Sequence, residues 1–373
     1  MLTIEWPRAF GLRLRRQGIA AAFALSAAEV AGRVCGVQAQ VPGAAALAIA
    51  VRRTDRVAGL APALAAGDLI RTWSVRGTLH VLPPAVAARQ LSLLAAAKTW
   101  HRGSWQRTFA PLEVMSSLAE LVRDALADGP LTREELIAAI TENLPHPDLV
   151  AQLQSGWSAV LKPLAWQGVL CQGPPRGQRV TFIRPDQIAR NWTGLPDPDV
   201  AGPQVVRDYL SAFGPATIDS FEQWLLRGAV PRAQLRSWFS CLADQTRTIN
   251  VEGRATLVLL EDVDELLATE PVTVEDVYLL PGFDQYLLGP GTADTALVPS
   301  QHRALVSRPG AWISPVVISA GRVVGTWKPV DESPHISLFP GIEIPPRALG
   351  HAVDAMATLL ANTPETSQDA EPR

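Results

Sequence analysis

A unit of three helices followed by a β-hairpin recurs along this chain, and it constrains the fold more than any other feature. In the middle of the chain, hydrophobic spacing and turn residues predict helices over 113–127, 132–141 and 155–167, then strands over 169–172 and 179–183. A turn-rich tip over 173–177 separates the two strands. This order is typical of a winged helix-turn-helix, in which the hairpin forms the wing.

The same order returns after a Pro- and Asp-rich linker over 195–203. It predicts helices over 203–213, 217–227 and 231–243, then strands over 246–250 and 255–260. The N-terminal segment fits a third copy less closely, with helices near 5–17, 26–36 and 43–53 and a strand over 70–82. We therefore expect three tandem winged-helix units, over 1–108, 109–195 and 203–267.

The C-terminal part has a different pattern. Segments 277–289, 312–319 and 322–329 are predicted as strands, the last two joined at Ala320-Gly321. A final helix carries Leu349, Val353, Met356 and Leu360 on one face. The sequence thus predicts an α+β protein with a β-rich part over 268–361 and a disordered polar tail over 362–373.

Capping patterns mark several of the predicted helix starts. Ser26 with Glu29 and Thr132 with Glu135 have the spacing of a capping box before an apolar run. Pro231 stands where a first helical turn would begin. These signals fix where the helices of each unit should start.

The net charge of −3 conceals a strong asymmetry along the chain. Residues 1–107 carry fourteen Lys and Arg against four Asp and Glu, whereas residues 251–373 carry seven against seventeen. Such polarity is typical of a protein that binds a polyanion with one part. We expect duplex DNA to contact mainly residues 1–107, where Arg71 and Arg76 lie, and the alternative is an ordinary solvated surface.

Two glutamines form the first candidate site. Pro42 disfavours helical geometry at Val41, so the helix begun at Ser26 must end before it and leave Gln38 and Gln40 in an extended loop. Residues two apart in such a loop point the same way. A glutamine amide both donates and accepts hydrogen bonds, so the pair could hold a water molecule for attack, although two solvated loop residues would show the same spacing.

The second candidate is the segment 72–81, which alternates polar and apolar residues as one strand. Its polar face would present a cation, an imidazole and hydroxyls for phosphate contact or for a catalytic pocket, from Thr72, Ser74, Arg76, Thr78 and His80. Gly77 within the strand suggests the close approach of another backbone or a ligand. An ordinary half-exposed strand is the alternative.

Basic residues of the C-terminal part are further candidates for DNA contact. Lys328 follows Trp327 at the end of a predicted strand, where the pair could touch DNA, although core packing is the favoured use of Trp327. Arg303 and Arg308 form, with His302, a local basic cluster in an acidic region. We expect these side chains to meet the DNA backbone across a cleft.

Several classes of site are absent from the sequence. The three cysteines, Cys35, Cys171 and Cys241, have no zinc spacing, and no phosphate-binding loop, dinucleotide-binding, zinc-protease or nucleophile-elbow motif occurs. No lysine stands in a setting that favours a Schiff base. Because these motifs and ligand spacings are missing, we expect a protein that needs no metal and no cofactor. Because no run of eighteen apolar residues occurs and the N-terminus lacks a signal-peptide pattern, we also expect a cytoplasmic protein.

Four sequence blocks occur in order over residues 36–329: GVQAQ followed by Pro42, SVRGTLHVLP, LLPGFDQYLL and GRVVGTWKP. Together they resemble the AlkZ/YcaQ-like winged-helix DNA glycosylases of interstrand-crosslink repair, over nearly the whole chain. The resemblance implies three winged-helix units and a β-rich part that form a C-shaped DNA channel. It also implies that Gln38-Ala39-Gln40, which matches the family's Gln-apolar-Gln motif, positions the hydrolytic water. Val41 departs from the family, whose members commonly have an acidic residue there.

The function implied by the resemblance is that of a monofunctional DNA glycosylase, acting as a monomer on bulky or crosslinking N7-alkylguanine in duplex DNA. Self-resistance to a genotoxic natural product is a possible context. N7-alkylation makes guanine cationic and a good leaving group, so two neutral amides that place a water could suffice. The alternatives are a non-enzymatic winged-helix DNA-binding protein, such as a transcriptional regulator, and a relative that binds lesions without cutting.

Overall fold

The computed structural model describes residues 1–143, 149–154, 159–330 and 333–363. It is an α+β protein, as the sequence predicts. The N-terminal part contains four short strands and six helices among the described residues, which are β1 (Thr3–Ile4), α1 (Trp6–Arg16), α2 (Ala27–Arg33), β2 (Val37–Gln38), α3 (Pro42–Ala50), α4 (Leu60–Ala65), β3 (Ile70–Trp73), β4 (Leu79–Leu82), α5 (Pro84–Ala96) and α6 (Gly103–Thr108).

Two further segments repeat the order of helices followed by a hairpin. The first consists of α7 (Leu112–Ala125), β5 (Leu131–Thr132), α8 (Arg133–Thr141), α9 (Leu149–Gln154), α10 (Leu161–Trp166), β6 (Cys171–Arg176), β7 (Arg179–Ile183) and α11 (Pro185–Ile188). The second consists of α12 (Pro198–Phe213), α13 (Ile218–Leu226), α14 (Arg232–Ser240), β8 (Thr246–Val251), β9 (Arg254–Leu259) and α15 (Val263–Ala268). The predicted helix-and-hairpin order is therefore present, and the assignment of these units as winged helices stays a prediction.

The C-terminal part holds most of the remaining strands. Its elements are β10 (Val277–Leu280), α16 (Gln285–Leu288), α17 (Arg303–Val306), β11 (Ser307–Arg308), β12 (Trp312–Ile313), β13 (Val316–Ser319), β14 (Arg322–Val330), β15 (Ser333–Leu338) and α18 (Pro346–Ala361). Strands β10, β13, β14 and β15 form an antiparallel sheet in that order. Helix α18 packs on this sheet, with Met356, Leu359 and Leu360 buried against it.

Both predicted capping boxes are confirmed. The Glu29 amide donates to Ser26 Oγ at 3.2 Å and the Ser26 amide donates to Glu29 Oε2 at 2.8 Å, so two backbone N–H groups at the start of α2 are satisfied. Thr132 and Glu135 make the same pair of bonds at the start of α8. Each capping box therefore fixes the residue at which its helix begins.

Strand pairing joins the predicted units. One six-stranded sheet has the order β2-β4-β3-β6-β7-β5, so strands from the first and second units lie in a single sheet. In the third unit, the hairpin β8–β9 pairs in parallel with β1 from the N-terminus. One hydrophobic cluster likewise contains buried residues from Cys35 to Leu259 and crosses the proposed boundaries. The division into three units stays a prediction about domains.

The prediction of one strand over 70–82 is wrong. The chain turns back between Ser74 and Thr78, so β3 and β4 form a hairpin in which Ile70 pairs with Leu82 and Trp73 with Leu79. Arg76 at φ 57° and Gly77 at φ 67° adopt left-handed geometry at the tip. The alternation of polar and apolar residues continues through the turn, and Gly77 marks the turn itself.

Other predicted boundaries also change. The segment 277–289 was predicted as one strand, but β10 ends at Leu280 before Pro281-Gly282, and the Asp284 side chain caps a new helix by accepting from the Tyr286 amide at 2.8 Å. Strand β6 extends to Arg176, which moves its turn to Gly177. Helix α12 begins within the predicted linker, and β15 was not predicted.

Two predictions fall partly outside the described residues. The predicted helix over 155–167 is described from residue 159 onwards, where α10 covers Leu161–Trp166. The predicted tail over 362–373 is described for Asn362 and Thr363 alone. No helix in the described ranges combines the length and the apolar character that crossing a membrane requires.

Candidate active site

The glutamine segment lies at the edge of the six-stranded sheet. Strand β2 pairs with β4 so that Gln38 stands opposite His80, and the Ala39 amide donates to the Leu79 carbonyl at 2.8 Å. Helix α3 then begins at Pro42, as the proline predicts. Gln38 therefore belongs to a short paired strand, whereas a loop was predicted for it.

The two glutamines differ in exposure. Gln38 is 6% exposed, while Gln40, two residues beyond the end of β2, is exposed. Within the described residues, neither side-chain amide has a hydrogen bond to another protein group. Both amides therefore retain their full capacity to bind water or substrate.

A cavity of about 630 Å³ opens directly after Gln40. Its lining joins the start of α3 to the C-terminal sheet and includes Val41, Gly43, Phe283, Arg308, Trp312, Lys328 and His335. A volume of several hundred Å³ is typical of a site that encloses most of a small organic group. The lining of the cavity thus begins one residue after Gln40, and neither glutamine is among the residues that line it.

Aromatic and basic groups share the walls of this cavity. Phe283 and Trp312 meet edge to face with ring centroids 5.1 Å apart. Lys328 and His335 are cross-strand neighbours on β14 and β15, and Arg308 ends β11 on the opposite hairpin. The structure therefore brings Arg308 and Lys328, which were predicted to contact DNA, to the same cavity.

Arg303 and Trp327 have different positions. Arg303 begins α17 and is exposed, but it does not line the cavity. Trp327 is 4% exposed and its indole N–H donates to the Leu280 carbonyl at 2.8 Å, so it serves the core at the cavity floor. His302, the third member of the predicted basic cluster, stacks on Phe339 with centroids 4.2 Å apart.

The prediction of an open polar face on segment 72–81 is wrong. Thr72, Ser74 and His80 are fully buried, because the segment folds as a hairpin beneath other elements. The Ser74 hydroxyl donates to Gln90 Oε1 at 2.6 Å, and Gln90 in turn donates to the Cys35 carbonyl at 2.8 Å. These side chains support the sheet from within, and the half-exposed Thr78 donates from its hydroxyl to the Val75 carbonyl at 3.1 Å.

The two arginines of the hairpin are also less exposed than predicted. Arg71 is half-buried, and burial lowers its pKa. Arg76 donates from Nη1 to the Leu288 carbonyl at 3.0 Å, and its buried Nη2 has no partner in the described part of the chain. Burial, together with the charge of Arg227, lowers the pKa of Arg76 to about 10.

Lys162 and Arg227 are cations near the hairpin tip that sequence reasoning missed. A Cβ atom on Gly77 would lie 3.7 Å from Lys162 Cδ, and the charge of Arg227 lowers the pKa values of both Arg76 and Lys162. Burial is the larger cause in each case. Three cations from separate parts of the sequence thus surround the tip, which no pattern along the chain could reveal.

His80 is a neutral base beside Gln38. Its Nδ1 lies 2.9 Å from the Thr78 carbonyl, which can only accept, so Nδ1 carries the ring proton. Burial lowers the pKa of His80 to about 3, with a smaller contribution from the charge of Arg76. The remaining ring nitrogen, Nε2, is therefore a free acceptor.

A buried ion pair anchors α3 to the cavity wall. Arg52, just beyond the end of α3, donates from Nη1 and Nη2 to the two carboxylate oxygens of Asp284, each at 2.7 Å, and both side chains are 0% exposed. Arg52 also donates to the Ala48 carbonyl at 2.7 Å and to Gln17 Oε1 at 3.3 Å. Asp284 follows Phe283, whose φ of 60° lies in the left-handed region.

No group of His, Cys, Asp and Glu in the described ranges could hold a metal ion. Cys35 and Cys171 are buried free thiols, and Cys241 is an exposed one. Burial raises the pKa of Cys171 to about 12 and that of Cys35 well above its usual range, so neither is a reactive thiolate. The polar and aromatic side chains that line the cavity include Arg308, Lys328, His335, Phe283 and Trp312.

Comparisons with known proteins identify the class of enzyme. The family model described as "DNA glycosylase AlkZ-like" matches residues 31–360. The chain therefore belongs to the AlkZ-like DNA glycosylases, and it is an enzyme that hydrolyses N-glycosyl bonds. This confirms the family resemblance and leaves the non-enzymatic alternatives without support.

Relatives from one bacterium make the similarity more specific. An interstrand DNA cross-link repair glycosylase from Streptomyces sahachiroi is 43% identical over 344 residues, covering 91% of this chain and 92% of that protein. The structure of Streptomyces sahachiroi DNA glycosylase AlkZ matches with a TM-score of 0.93 at 41% identity, covering 97% of this chain and 98% of the other. The fold is thus shared over nearly the full length.

Proposed function

We propose that this glycosylase excises bulky or crosslinking N7-alkylguanine from duplex DNA by hydrolysis, with Gln38 and Gln40 holding the attacking water. The observation that carries the proposal is the pair of unpartnered amides in the segment that leads, at Val41, into the lining of a cavity of about 630 Å³. The relative named as an interstrand DNA cross-link repair glycosylase supports a crosslinked or bulky lesion as substrate.

The chemistry of the lesion fits a site that has neutral amides. An alkyl group on N7 gives guanine a positive charge, so the base departs without being protonated. Departure leaves oxocarbenium character on the sugar, and the remaining task is to place a water at the anomeric carbon. An amide oxygen that accepts from this water orients its lone pair, and a strong general base is dispensable because bond cleavage leads the reaction.

The cavity walls fit a cationic, bulky base. The aromatic rings of Phe283 and Trp312 offer faces and edges on which a planar cation can lie, and cation–π attraction strengthens where water is excluded. A small adduct would leave much of the volume unfilled. We therefore expect excision to be faster for bulky N7 adducts than for N7-methylguanine.

Basic side chains around the cavity are suited to the DNA backbone. Arg308 and Lys328 line the cavity, and the exposed Arg303 lies on helix α17. Lys328 has no partner within the described residues. We assign these groups to phosphate contacts that fix the lesion over the cavity. Near the tip of the β3–β4 hairpin, the exposed Arg227 and the half-buried Lys162 could also contact the DNA backbone.

We propose a monofunctional mechanism from the positions of the lysines. Schiff-base catalysis needs a desolvated lysine that reaches the sugar; among the described residues that line the cavity Lys328 is the one lysine and it is exposed, whereas Lys162, whose pKa burial lowers, lies outside that lining. The product should therefore be an intact strand with an abasic site. Borohydride trapping of a protein–DNA adduct, or strand cleavage without alkali, would instead show a bifunctional enzyme.

A substrate panel tests the proposal. Duplexes with one N7-methylguanine, one bulky N7-alkylguanine, one N7–N7 crosslink or no lesion would be incubated with the enzyme, and the released base would be quantified by mass spectrometry. We expect release from the bulky and crosslinked duplexes at rates well above spontaneous loss. Equal rates with and without enzyme on all lesions would contradict the proposal. Self-resistance to a genotoxic natural product stays a prediction, tested by the sensitivity of a deletion strain.

A further inference from the structure

A row of three polar side chains crosses the sheet at the catalytic edge. Gln38 on β2 pairs with His80 on β4, and His80 pairs with Thr72 on β3. Residues paired across antiparallel strands project on the same face, with Cβ atoms roughly 4.5–5.5 Å apart. His80 therefore stands between the Gln38 amide and the Thr72 hydroxyl.

The polar atoms of this row lack partners although they are buried. His80 and Thr72 are both 0% exposed, and His80 Nε2 and Thr72 Oγ1 are sealed from solvent without a hydrogen bond in the described part of the chain. Leaving a buried polar atom unsatisfied costs roughly 1–3 kcal/mol. Other buried atoms in the described part of the chain also lack a partner, so the feature that distinguishes His80 Nε2 is its position beside Gln38.

We infer that His80 is a positioning residue: in the DNA-bound enzyme its Nε2, which has no partner in the described part of the unbound chain, accepts a hydrogen bond from the side-chain NH₂ of Gln38 and so fixes the direction of the catalytic amide. This inference rests on the proposed role of Gln38. The Thr78 carbonyl determines the tautomer, because it holds the ring proton on Nδ1 and leaves Nε2 as an acceptor. Burial keeps the ring neutral, since it lowers the pKa of His80 to about 3.

The direction of the amide matters for hydrolysis. A glutamine side chain is rotationally ambiguous, since its oxygen accepts and its nitrogen donates. When the NH₂ group faces His80, the oxygen is left to accept from the attacking water. If the amide were reversed, its nitrogen would donate to the water oxygen and compete with the lone pair that attacks the sugar. His80 would thereby select the productive orientation without touching the substrate.

Two substitutions separate this role from a structural one. In His80→Gln, the terminal oxygen replaces the Nε2 acceptor but the bond to Thr78 is lost. In His80→Asn, a short amide keeps the donor to Thr78 but provides no acceptor at the ε position. Thr72→Val removes the other buried hydroxyl of the row at nearly constant shape and serves as the matched control.

The assay is single-turnover excision from a duplex with one N7-alkylguanine, alongside binding to the undamaged duplex. We expect His80→Asn to slow excision about tenfold, the same loss that we expect of Gln38→Ala, while His80→Gln and Thr72→Val remain within about threefold of the wild type. The variant His80→Asn/Gln38→Ala should be no slower than Gln38→Ala, because both act on one group. Affinity for undamaged DNA should not change.

Several results would overturn the inference. They are wild-type excision by His80→Asn, losses that multiply in the double variant, or a Thr72→Val defect equal to that of His80→Asn. Wild-type excision by Gln38→Ala would refute the proposed function instead, so the two failures are distinguishable. If the His80 variants do not fold, ¹⁵N NMR of the wild-type enzyme bound to the duplex tests the same bond. We expect a scalar coupling across the bond between the Gln38 side-chain nitrogen and His80 Nε2, and its absence would contradict the inference.

Discussion

The buried ion pair between Arg52 and Asp284 should dominate the stability of the cavity wall. Both side chains are 0% exposed and are joined by two bonds of 2.7 Å. Arg52→Met would leave the Asp284 carboxylate buried without its cation, which typically costs about 3–5 kcal/mol. A whole domain is stable by only about 5–15 kcal/mol, so the loss should be large in urea denaturation followed by tryptophan fluorescence.

The matched variants identify the cause of this loss. Asp284 also caps α16, and Asp284→Asn keeps a side-chain acceptor for the Tyr286 amide while removing the charge. We therefore expect Arg52→Met/Asp284→Asn to recover about half of the stability lost in Arg52→Met. The stability of Arg52→Lys should lie between those of the wild type and Arg52→Met, because an ammonium group cannot bind both carboxylate oxygens as a planar guanidinium does. A loss below about 1 kcal/mol in Arg52→Met, against the roughly 3–5 expected, or no recovery in the double variant, would refute the reasoning.

Three further predictions concern pH, salt and metal. Because the pKa of His80 is lowered to about 3, the unfolded chain takes up a proton below about pH 6.5 whereas the folded protein does so only near pH 3. The free energy of unfolding should therefore decrease by about 1.4 kcal/mol for each unit by which the pH is lowered in that window. Between pH 6.5 and 5.0, urea titrations should therefore show a loss about 2 kcal/mol smaller for His80→Gln than for the wild type. Lys328→Ala should reduce the slope of log affinity against log salt by about one, and Arg322→Ala, at the other end of β14, should not, as fluorescence anisotropy with labelled duplex can show. Excision should be unchanged by a chelator, and activity lost with EDTA and restored by added metal would contradict this expectation.

Local signals allowed much of the fold to be predicted. The capping boxes at Ser26 and Thr132 fixed two helix starts, because they depend on residues three apart. The strand over 70–82 was mispredicted because its alternation continues through the turn at Arg76-Gly77. Turn geometry depends on backbone angles that the hydrophobic pattern does not encode.

The candidate site was only partly predictable for a related reason. The motif around Gln38 and Gln40 is contiguous and could be identified, although its catalytic role stays a prediction. The cavity wall joins Gly43 to Trp312 and Lys328, and the anchoring ion pair spans 232 positions. Proximity of this kind arises from tertiary packing, so no spacing along the chain could indicate Trp312, His335 or the partner of Arg52.

The most direct test of the account is the excision rate of Gln38→Ala and Gln40→Ala on the slowest-cleaved N7-alkylguanine duplex, under enzyme excess. Because a group that positions water acts mainly in the transition state, each variant should lose about tenfold in rate, or roughly 1.4 kcal/mol of barrier, while affinity for the duplex is nearly unchanged. A slow substrate is needed, since a labile cationic lesion requires little help. If the double variant folds, binds the duplex and still excises at the wild-type rate, the glutamines do not position the water and the proposed mechanism is wrong.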